Sequence, residues 1–409
     1  MDLINRSEEK LAPTVKLTDK QAKLIEQIIS FIRRHEKHDF PAVFVLSGDA
    51  GSGKSVVLSH LFFRLQQAAR EKFGSLAGSR NYFLVNHPEL LKVYRNIAGH
   101  YPQLLKKDFQ RPTTFINRLS KEGRTADAVI IDEAHLLLSR SDPYNNFTAD
   151  NQLAEILKLA KVIVLVFDSR QVIKTKDYWT ERRLLDVISA YPKQVVHLKE
   201  QFRMQAGSDL LDWINSFTKD RRLLPIQADF RQGFDFRIFA DAEQMREMIV
   251  AKNQLVGLSR IVSTTGYASL LDGEKHYIQE GDFCMPWDQY NYQSIPWAEI
   301  PETVNEVGSV YTCQGFDLNY VGLILGPPIY LQEQNHIAVD LTKVTSKEAF
   351  QQRKDLVDQQ AFQRVKESLV LNTVNILMKR GIKGLYIFAH DQTLRQRLIA
   401  DYDRSVADV

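Results

Sequence analysis

Hydrophobic positions in the first half of the chain alternate between the spacing of helices and that of buried strands. Residues 18–34 place Leu24, Ile28 and Ile32 on one face, which predicts an amphipathic helix. Four short runs are continuously apolar, as expected of strands covered on both faces of a parallel sheet; they lie at 42–46, 82–85, 128–131 and 162–167. Helical stretches separate these runs, so the pattern predicts a doubly wound α/β domain.

The same alternation starts again after about residue 204. Strand-like runs and helical patterns follow one another at 234–239, 241–252, 260–262, 321–325, 356–379 and 384–388. A second α/β domain is the simplest interpretation. An aromatic and proline-rich segment at 268–303 and a glutamine-rich segment at 328–355 interrupt it, and we expect both to be long loops or insertions. The chain should therefore divide into two domains, 1–203 and 204–409.

Composition restricts the class of protein. The 409 residues contain two cysteines, Cys284 and Cys313, which excludes a disulfide scaffold and offers no metal-ligand spacing. No apolar run approaches the roughly 18 residues of a membrane span. Residues 1–16 carry scattered charges of both signs without an apolar core, so no export signal is expected. We expect a soluble cytoplasmic protein without a membrane partner.

The formal net charge of +3 conceals an asymmetry between the two halves. Residues 1–200 hold 31 basic against 23 acidic side chains, and the remainder holds 22 against 27. Such asymmetry is typical of proteins with a polyanion partner. The alternative is that the basic side chains are spread over solvated faces.

The strongest chemical signal is a glycine-rich loop at 48–55. It fits the phosphate-loop pattern G-x-x-x-x-G-K-[ST], and it lies between a predicted strand and a helical pattern, as that motif requires. Its backbone N–H groups are expected to close around phosphate oxygens at a helix N-terminus, through Gly48, Gly51, Ser52 and Gly53. Lys54 is expected to reach the β- and γ-phosphates, and the Ser55 hydroxyl to bind Mg²⁺.

A pair of carboxylates follows the apolar run at 128–131. The carboxyl end of a strand is where a doubly wound sheet binds its ligands. Asp132 is therefore expected to hold Mg²⁺, directly or through water, and Glu133 to orient and deprotonate the attacking water. The alternative interpretation of such a pair is a helix N-cap. Together with the phosphate loop, the pair predicts nucleotide hydrolysis.

The string Asp132-Glu133-Ala134-His135 resembles the DEAH box of helicases, and further strings resemble superfamily-one motifs in the same order. By that resemblance Gln21 reads the adenine edge, Gln171 senses the γ-phosphate, and Asp317 contacts the ribose. The resemblance also implies that Gln314 and Gly315 lie near the phosphates. It further implies that two arginines from the later motifs reach the γ-phosphate, Arg203 and Arg380.

The strings at 314–322 and 379–386 resemble a bacterial DNA/RNA helicase family related to the Schlafen group-three helicase domain, over nearly the whole chain. The resemblance implies two RecA-like P-loop NTPase lobes with parallel sheets, insertions in the second lobe, ATP and Mg²⁺ in the cleft between the lobes, and nucleic-acid-dependent ATPase activity. Lys379 replaces the threonine usual before the last arginine, and Tyr311 stands where many relatives carry histidine. Only 78 positions separate Lys54 from Asp132, which leaves no room for the accessory domain that strand separation normally uses.

Four polar residues of the first domain correspond by order to strand-binding motifs of helicases: Asn86, His87, Thr113 and Thr114. The alternative for a threonine before a helix is an N-cap. The pair Tyr178-Trp179 either stacks on a base or on adenine, or packs as an ordinary aromatic pair.

The aromatic residues of the first insertion leave two interpretations open. They form a binding surface or anchor a long loop; they are Trp287, Tyr290, Tyr292 and Trp297.

Two functions remain open from the sequence. The leading hypothesis is an ATP-driven helicase-like motor on single-stranded DNA or RNA. The second is a nucleotide-gated interaction or signalling ATPase, which signals its nucleotide state to an unidentified protein partner without translocation. A GTPase is disfavoured because no Asn-Lys-x-Asp string is present.

Overall fold

The computed structural model describes residues 7–48, 51–198, 204–269, 272, 274–293, 295–353 and 355–407. The chain divides into two compact units. Among the described residues, the first unit contains 7–172 and 176–198, and the second contains 173–175 and those of 204–407.

The first unit is built from helices that alternate with strands. Its helices are α1 (Ser7–Leu11), α2 (Asp19–His35), α3 (Lys54–Ala69), α4 (Pro88–His100), α5 (Pro112–Glu122), α6 (Gln152–Leu159) and α7 (Glu181–Val187). Its strands are β1 (Ala42–Gly48), β2 (Asn81–Val85), β3 (Phe109–Gln110), β4 (Ala126–Asp132), β5 (Ala160–Phe167) and β6 (Lys193–Leu198).

These six strands form one parallel sheet in the order β3-β2-β4-β5-β1-β6. The predicted strands β1, β4 and β5 occupy its centre, and nearly every residue in them is buried. Both faces are covered, which explains why these segments are continuously apolar rather than alternating. The short strand β3 and the partly exposed strand β6 form the edges; neither has a strong apolar signal in the sequence.

The second unit repeats the arrangement with a smaller sheet. Its helices are α8 (Ser208–Asn215), α9 (Ala242–Val256), α10 (Val310–Cys313), α11 (Gln359–Met378) and α12 (Gln392–Ala407). Its strands are β7 (Asp235–Ile238), β8 (Ser259–Ser263), β9 (Tyr277–Glu280), β10 (Phe283–Pro286), β11 (Val307–Gly308), β12 (Leu318–Leu325), β13 (Ile329–Gln332), β14 (His336–Val339) and β15 (Gly381–Ala389).

Five of these strands form a parallel sheet in the order β11-β8-β12-β15-β7. The α/β class with parallel sheets, predicted from the hydrophobic pattern, is therefore confirmed. The two interrupting segments are more ordered than long loops, because each contains an antiparallel hairpin: β9 with β10, and β13 with β14.

The tryptophans of the first insertion anchor it to the second unit. Trp287 and Trp297 are 3% and 2% exposed and belong to its hydrophobic core. Tyr290 and Tyr292 are instead 63% and 88% exposed, with ring centroids 4.6 Å apart. The insertion thus combines both interpretations, with buried indoles and exposed phenol rings.

Within the described ranges, every helix is too short or too polar to cross a membrane.

Candidate active site

The phosphate loop joins the end of β1 to the start of α3. Gly53 caps α3 with a left-handed backbone, φ 75°, which glycine adopts without steric cost. Gly48 lies so close to β6 that a Cβ atom there would come within 2.6 Å of the Leu198 carbonyl oxygen. Glycine is therefore required at both positions for the loop to turn tightly into the helix. Asp49 and Ala50 lie outside the described residues.

Lys54 is held inside this loop. Its side chain is buried, and Nζ donates to the Gly48 carbonyl oxygen at 2.7 Å and to Ser52 Oγ at 3.1 Å. The ammonium is thus positioned by loop oxygens at the N-terminus of α3, and phosphate contact by Lys54 stays a prediction.

Asp132 is fully buried where β4 ends, and three donors surround its carboxylate. The Tyr94 hydroxyl donates to Oδ2 at 2.7 Å, and the Glu133 backbone N–H donates to Oδ1 at 3.0 Å. The Ser55 hydroxyl also hydrogen-bonds this carboxylate. The structure therefore brings the predicted metal ligands Ser55 and Asp132 together.

Burial and the negative charge of Glu133 raise the pKa of Asp132, and the hydrogen bonds from Tyr94 and Ser55 partly oppose that rise. A nearby cation would stabilise the ionised form of such a buried carboxylate. Among the described residues, no cluster of three or more His, Cys, Asp or Glu side chains could form a complete metal cage. A hydroxyl and one carboxylate suit Mg²⁺, which commonly takes few protein ligands and completes its coordination with water and phosphate oxygens.

Glu133 has a backbone conformation that is uncommon for a residue with a side chain. Its φ is 52°, in the left-handed region. Its carboxylate oxygen Oε2 lies 3.2 Å from His135 Nε2, and His135 is fully buried. Such strain is concentrated at functional sites. The conformation and the His135 contact hold the carboxylate in a defined position beside Asp132.

Gln171 follows the end of β5 at the same edge of the sheet. It is 3% exposed, and its Nε2 donates to Asp168 Oδ2 at 2.9 Å. Because the carboxyl ends of parallel strands share one edge, Gln171 lies on the same side of the first unit as the phosphate loop and Asp132. Its role as a γ-phosphate sensor stays a prediction.

Gln21 makes a local contact that suggests a structural role. Its backbone N–H donates to Thr18 Oγ1 at 3.2 Å, and its side-chain oxygen accepts from the Thr18 N–H at 3.0 Å. The two residues form a capping box at the start of α2. The spacing T-x-x-Q is itself a signal of this cap, and adenine recognition by Gln21 stays a prediction.

The predicted strand-binding residues also lie at the carboxyl edge of the first sheet, and three of them make intramolecular hydrogen bonds. Asn86 Nδ2 donates to the Leu136 carbonyl oxygen at 2.6 Å, and His87 caps α4 by accepting from the Leu90 N–H. Thr113 Oγ1 accepts from Gln152 Nε2 at 2.9 Å.

Thr114 is exposed. Neither threonine is the N-cap of α5, because that position is Arg111. Nucleic-acid contact by all four residues stays a prediction.

The second unit carries the remaining predicted residues. Gln314 follows α10 and is 1% exposed, Gly315 has a left-handed backbone with φ 87°, and Asp317 is half-buried.

The two predicted arginines differ in what the structure describes. Arg380 is 1% exposed, and its guanidinium donates to the Ile376 and Phe316 carbonyl oxygens. Arg203 lies outside the described residues. Phosphate contact by either arginine stays a prediction.

The two aromatic residues after Gln171 behave differently from each other. Trp179 is 1% exposed, its Nε1 donates to the Leu137 carbonyl oxygen at 2.7 Å, and Arg183 lies over its ring. The indole is thus a core residue, as the packing alternative proposed, whereas Tyr178 is half-buried.

Tyr94 is the residue of this site that sequence reasoning missed. It lies in the middle of α4, 38 positions before Asp132, and no local pattern marks its hydroxyl. Its helix spacing indicates a core position, which is correct, since it is 1% exposed. Only the packing of α4 against the sheet brings its hydroxyl to the carboxylate.

We predict that Tyr94→Phe destabilises the protein by about 1–3 kcal/mol, because a buried carboxylate loses one of its donors. The same change should raise the Mg²⁺ concentration needed for half-maximal ATP turnover by about threefold to tenfold, since the carboxylate is no longer held in place. Urea unfolding and a Mg²⁺ titration of phosphate release measure the two effects. Tyr191→Phe is the control, a half-buried tyrosine of the same unit; equal behaviour of the two variants would contradict the positioning role.

Comparison with known proteins matches the chain to a family model and to a yeast protein of similar sequence. A family model described as the Schlafen group 3 DNA/RNA helicase domain matches residues 41–391. The Saccharomyces cerevisiae protein YPL245W is 37% identical over 415 residues, which cover 94% of this chain and 91% of the yeast protein. Because this relative is from yeast, the bacterial origin expected from the sequence is not supported.

Several solved structures resemble the chain at low identity. The Pif1 helicase of Candida albicans has 11% identity and a TM-score of 0.35, covering 96% of this chain and 100% of that one. A DEAD box protein from Methanococcus jannaschii has 12% identity and a TM-score of 0.32, with 96% of each chain covered. The DUF1998 helicase MrfA, solved with DNA and AMPPNP, has 9% identity and a TM-score of 0.37, covering 98% of this chain and 53% of that one.

Proposed function

The chain belongs to the Schlafen group 3 DNA/RNA helicase domain family, and we propose that it is an ATP-hydrolysing motor that acts on single-stranded DNA or RNA. The observation that carries the proposal is the hydrogen bond between the Ser55 hydroxyl and the Asp132 carboxylate. It joins the phosphate loop, which holds Lys54, to the end of β4, where Glu133 follows Asp132.

In this proposal the phosphate loop binds the triphosphate. Backbone N–H groups at the start of α3, together with the helix dipole, attract the β- and γ-phosphate oxygens. Lys54 Nζ exchanges its contacts with Gly48 and Ser52 for phosphate oxygens, and so stabilises the charge that develops on transfer. Ser55 and Asp132 would hold Mg²⁺, which would supply further neutralisation of phosphate charge.

Glu133 is the residue we assign to the attacking water. Its carboxylate is 8% exposed and is held near His135, so that it accepts a proton from a water positioned in line with the γ-phosphate. We assign the γ-phosphate sensor to Gln171, whose side chain donates to Asp168 at the same edge of the sheet. Together these side chains supply phosphate binding, water activation and a sensor.

The polymer partner is inferred from the family and from the basic first half of the chain. Phosphate contacts from lysine and arginine are the main source of affinity for nucleic acids, and they do not require a strongly basic whole protein.

The test is ATP turnover with and without defined single-stranded DNA and RNA at low and moderate salt. We expect at least one polymer to raise turnover by about tenfold, and the stimulation to fall steeply as salt rises because counterion release drives binding. Heparin controls for any polyanion, and Glu133→Gln controls for contaminating ATPases. Turnover that no polymer changes would contradict the motor and favour the nucleotide-gated interaction ATPase.

A further inference from the structure

A cavity of about 440 Å³ lies at the opposite edge of the first sheet from the phosphate loop. Its walls come from the end of α3, the start of β2, the residues just before β3 and the end of α5. The first cavity residue on α3 is Gln66, 12 positions after Lys54, and at 1.5 Å per residue the helix separates the two by roughly 18 Å. The cavity is therefore distinct from the proposed ATP site.

The rim of the cavity is basic. Five cationic side chains line it and two carboxylates oppose them, Asp108 and Glu122; the cations are Arg70, Arg80, Lys107, Arg118 and Arg124. Burial raises the pKa of Asp108, and this carboxylate accepts a hydrogen bond from Gln66. The excess of positive charge around a concave surface focuses its potential on an anion.

Arg118 is the most unusual of these cations. It lies over the Tyr82 ring, 5.1 Å from the centroid, and its nearest carboxylate, that of Glu122, is 4.0 Å from Nε. Its Nε and Nη2 atoms are buried, yet neither has a hydrogen-bond acceptor in the parts of the chain that the structure describes. Because both atoms are shielded from solvent, an oxyanion in the cavity would bind them only after the Arg118 side chain turns towards it; a guanidinium without protein acceptors for these donors suits such a planar contact.

The floor of the cavity is a fixed network of buried polar side chains. Gln66 Nε2 donates to Asp108 Oδ2 at 2.8 Å, and Asn81 Nδ2 donates to Gln66 Oε1 at 3.4 Å and to Ser79 Oγ at 2.9 Å. Gln66, Asn81 and Asp108 are each less than 9% exposed. These side chains hold one another in place, so the polar floor of the cavity is fixed before any ligand binds.

We propose that this cavity is a second anion site, which binds the phosphomonoester of a nucleotide unit. The guanidinium groups of Arg80 and Arg118 bind the phosphate oxygens, and the Tyr82 ring and the amide floor contact the rest of the ligand. The volume lies in the range of small-ligand pockets, roughly 300–1,000 Å³. The ligand is either a free nucleotide or the phosphorylated end of a nucleic-acid strand, since both carry a terminal phosphomonoester. The site does not depend on the ATPase assignment.

The experiment uses the 409-residue chain with Lys54→Ala, which removes the main proposed phosphate contact of the other site. Inorganic phosphate and AMP are titrated by calorimetry, and 5′-phosphorylated and 5′-hydroxyl oligonucleotides of one sequence by fluorescence anisotropy. Arg118→Gln and Arg80→Gln are each added. Arg182→Gln is the control, because that arginine is 92% exposed on α7, outside the cavity.

We expect each cavity variant to lower the affinity for the phosphate ligand by about tenfold, since a charge-assisted hydrogen bond is lost, while the control has no effect. Tight AMP binding without discrimination between the oligonucleotides identifies a free nucleotide as the ligand. A preference for the 5′-phosphorylated strand that the variants abolish identifies a strand end. Equal affinities of both variants and the control for all four probes would overturn the proposal. Arg80 is exposed, so Arg80→Gln should fold normally and still tests the site if Arg118→Gln unfolds.

Discussion

Glu133→Gln is expected to lower ATP turnover by about 100-fold or more, because a general base contributes roughly 10²–10⁴ to the rate. Glutamine has the same shape and can still contact His135, so the strand end and the phosphate loop should keep their structure. ATP affinity should therefore stay within about threefold of wild type, as expected for a group that acts mainly in the transition state. Phosphate release and equilibrium binding of a fluorescent ATP analogue measure the two quantities.

Glu155→Gln is the matched control, because this half-buried carboxylate lies on α6 and pairs with the exposed Lys158. It should leave turnover unchanged. If Glu133→Gln keeps wild-type turnover, the base is another residue and the assignment at the end of β4 is wrong. If it loses binding as well, Glu133 supports the nucleotide site structurally.

Lys54→Ala is expected to lower the rate of ATP turnover by about 100-fold or more. Unlike Glu133→Gln, it should also weaken ATP binding. The ammonium contacts the phosphates in both the ground state and the transition state, and a single preorganised charge of this kind is worth roughly 10²–10³ in rate. We expect the free protein to tolerate the change, since the hydrogen bonds from Nζ to Gly48 and Ser52 are local to the loop. Kinetics over a range of ATP concentrations separates the two effects.

The control for this variant is Lys158→Ala, the other half of the same surface pair, with a lysine side chain that is 67% exposed. Removing it tests whether any loss of positive charge from the first unit reduces turnover. Wild-type hydrolysis by Lys54→Ala would show that the phosphate loop is not the site of turnover. Together, the two active-site variants distinguish a binding role from a role in water activation.

Much of the fold was predictable because its information is local. The central strands β1, β4 and β5 are covered on both faces, which requires an unbroken apolar run that is visible in the sequence. The edge strands β3 and β11 have only two residues each, too few to show a period. Strand β6 is half-exposed and mixes polar with apolar residues, so only its pairing with β1 identifies it.

The hairpin strands of the two insertions were also too short to be recognised from the sequence. Each of these strands has four residues: β9, β10, β13 and β14. Pairing within the hairpins stabilises them more than their intrinsic strand propensity does. The burial of Trp287 and Trp297 was equally hard to predict. An aromatic-rich segment is compatible with a binding surface or with a core contact, and only the packing shows which rings are covered.

By itself, the sequence determined the phosphate loop, the carboxylate pair Asp132-Glu133 and the α/β class, because each depends on neighbouring residues or on a short hydrophobic period. The tertiary structure decided the contacts between distant residues. It brought Tyr94 to Asp132 across 38 positions, buried Trp179, and assembled the basic cavity around Arg118. These features depend on which side chains meet when helices pack on the sheet, and the physical reason they escape sequence reasoning is that burial and hydrogen bonding are set by residues far apart in the chain.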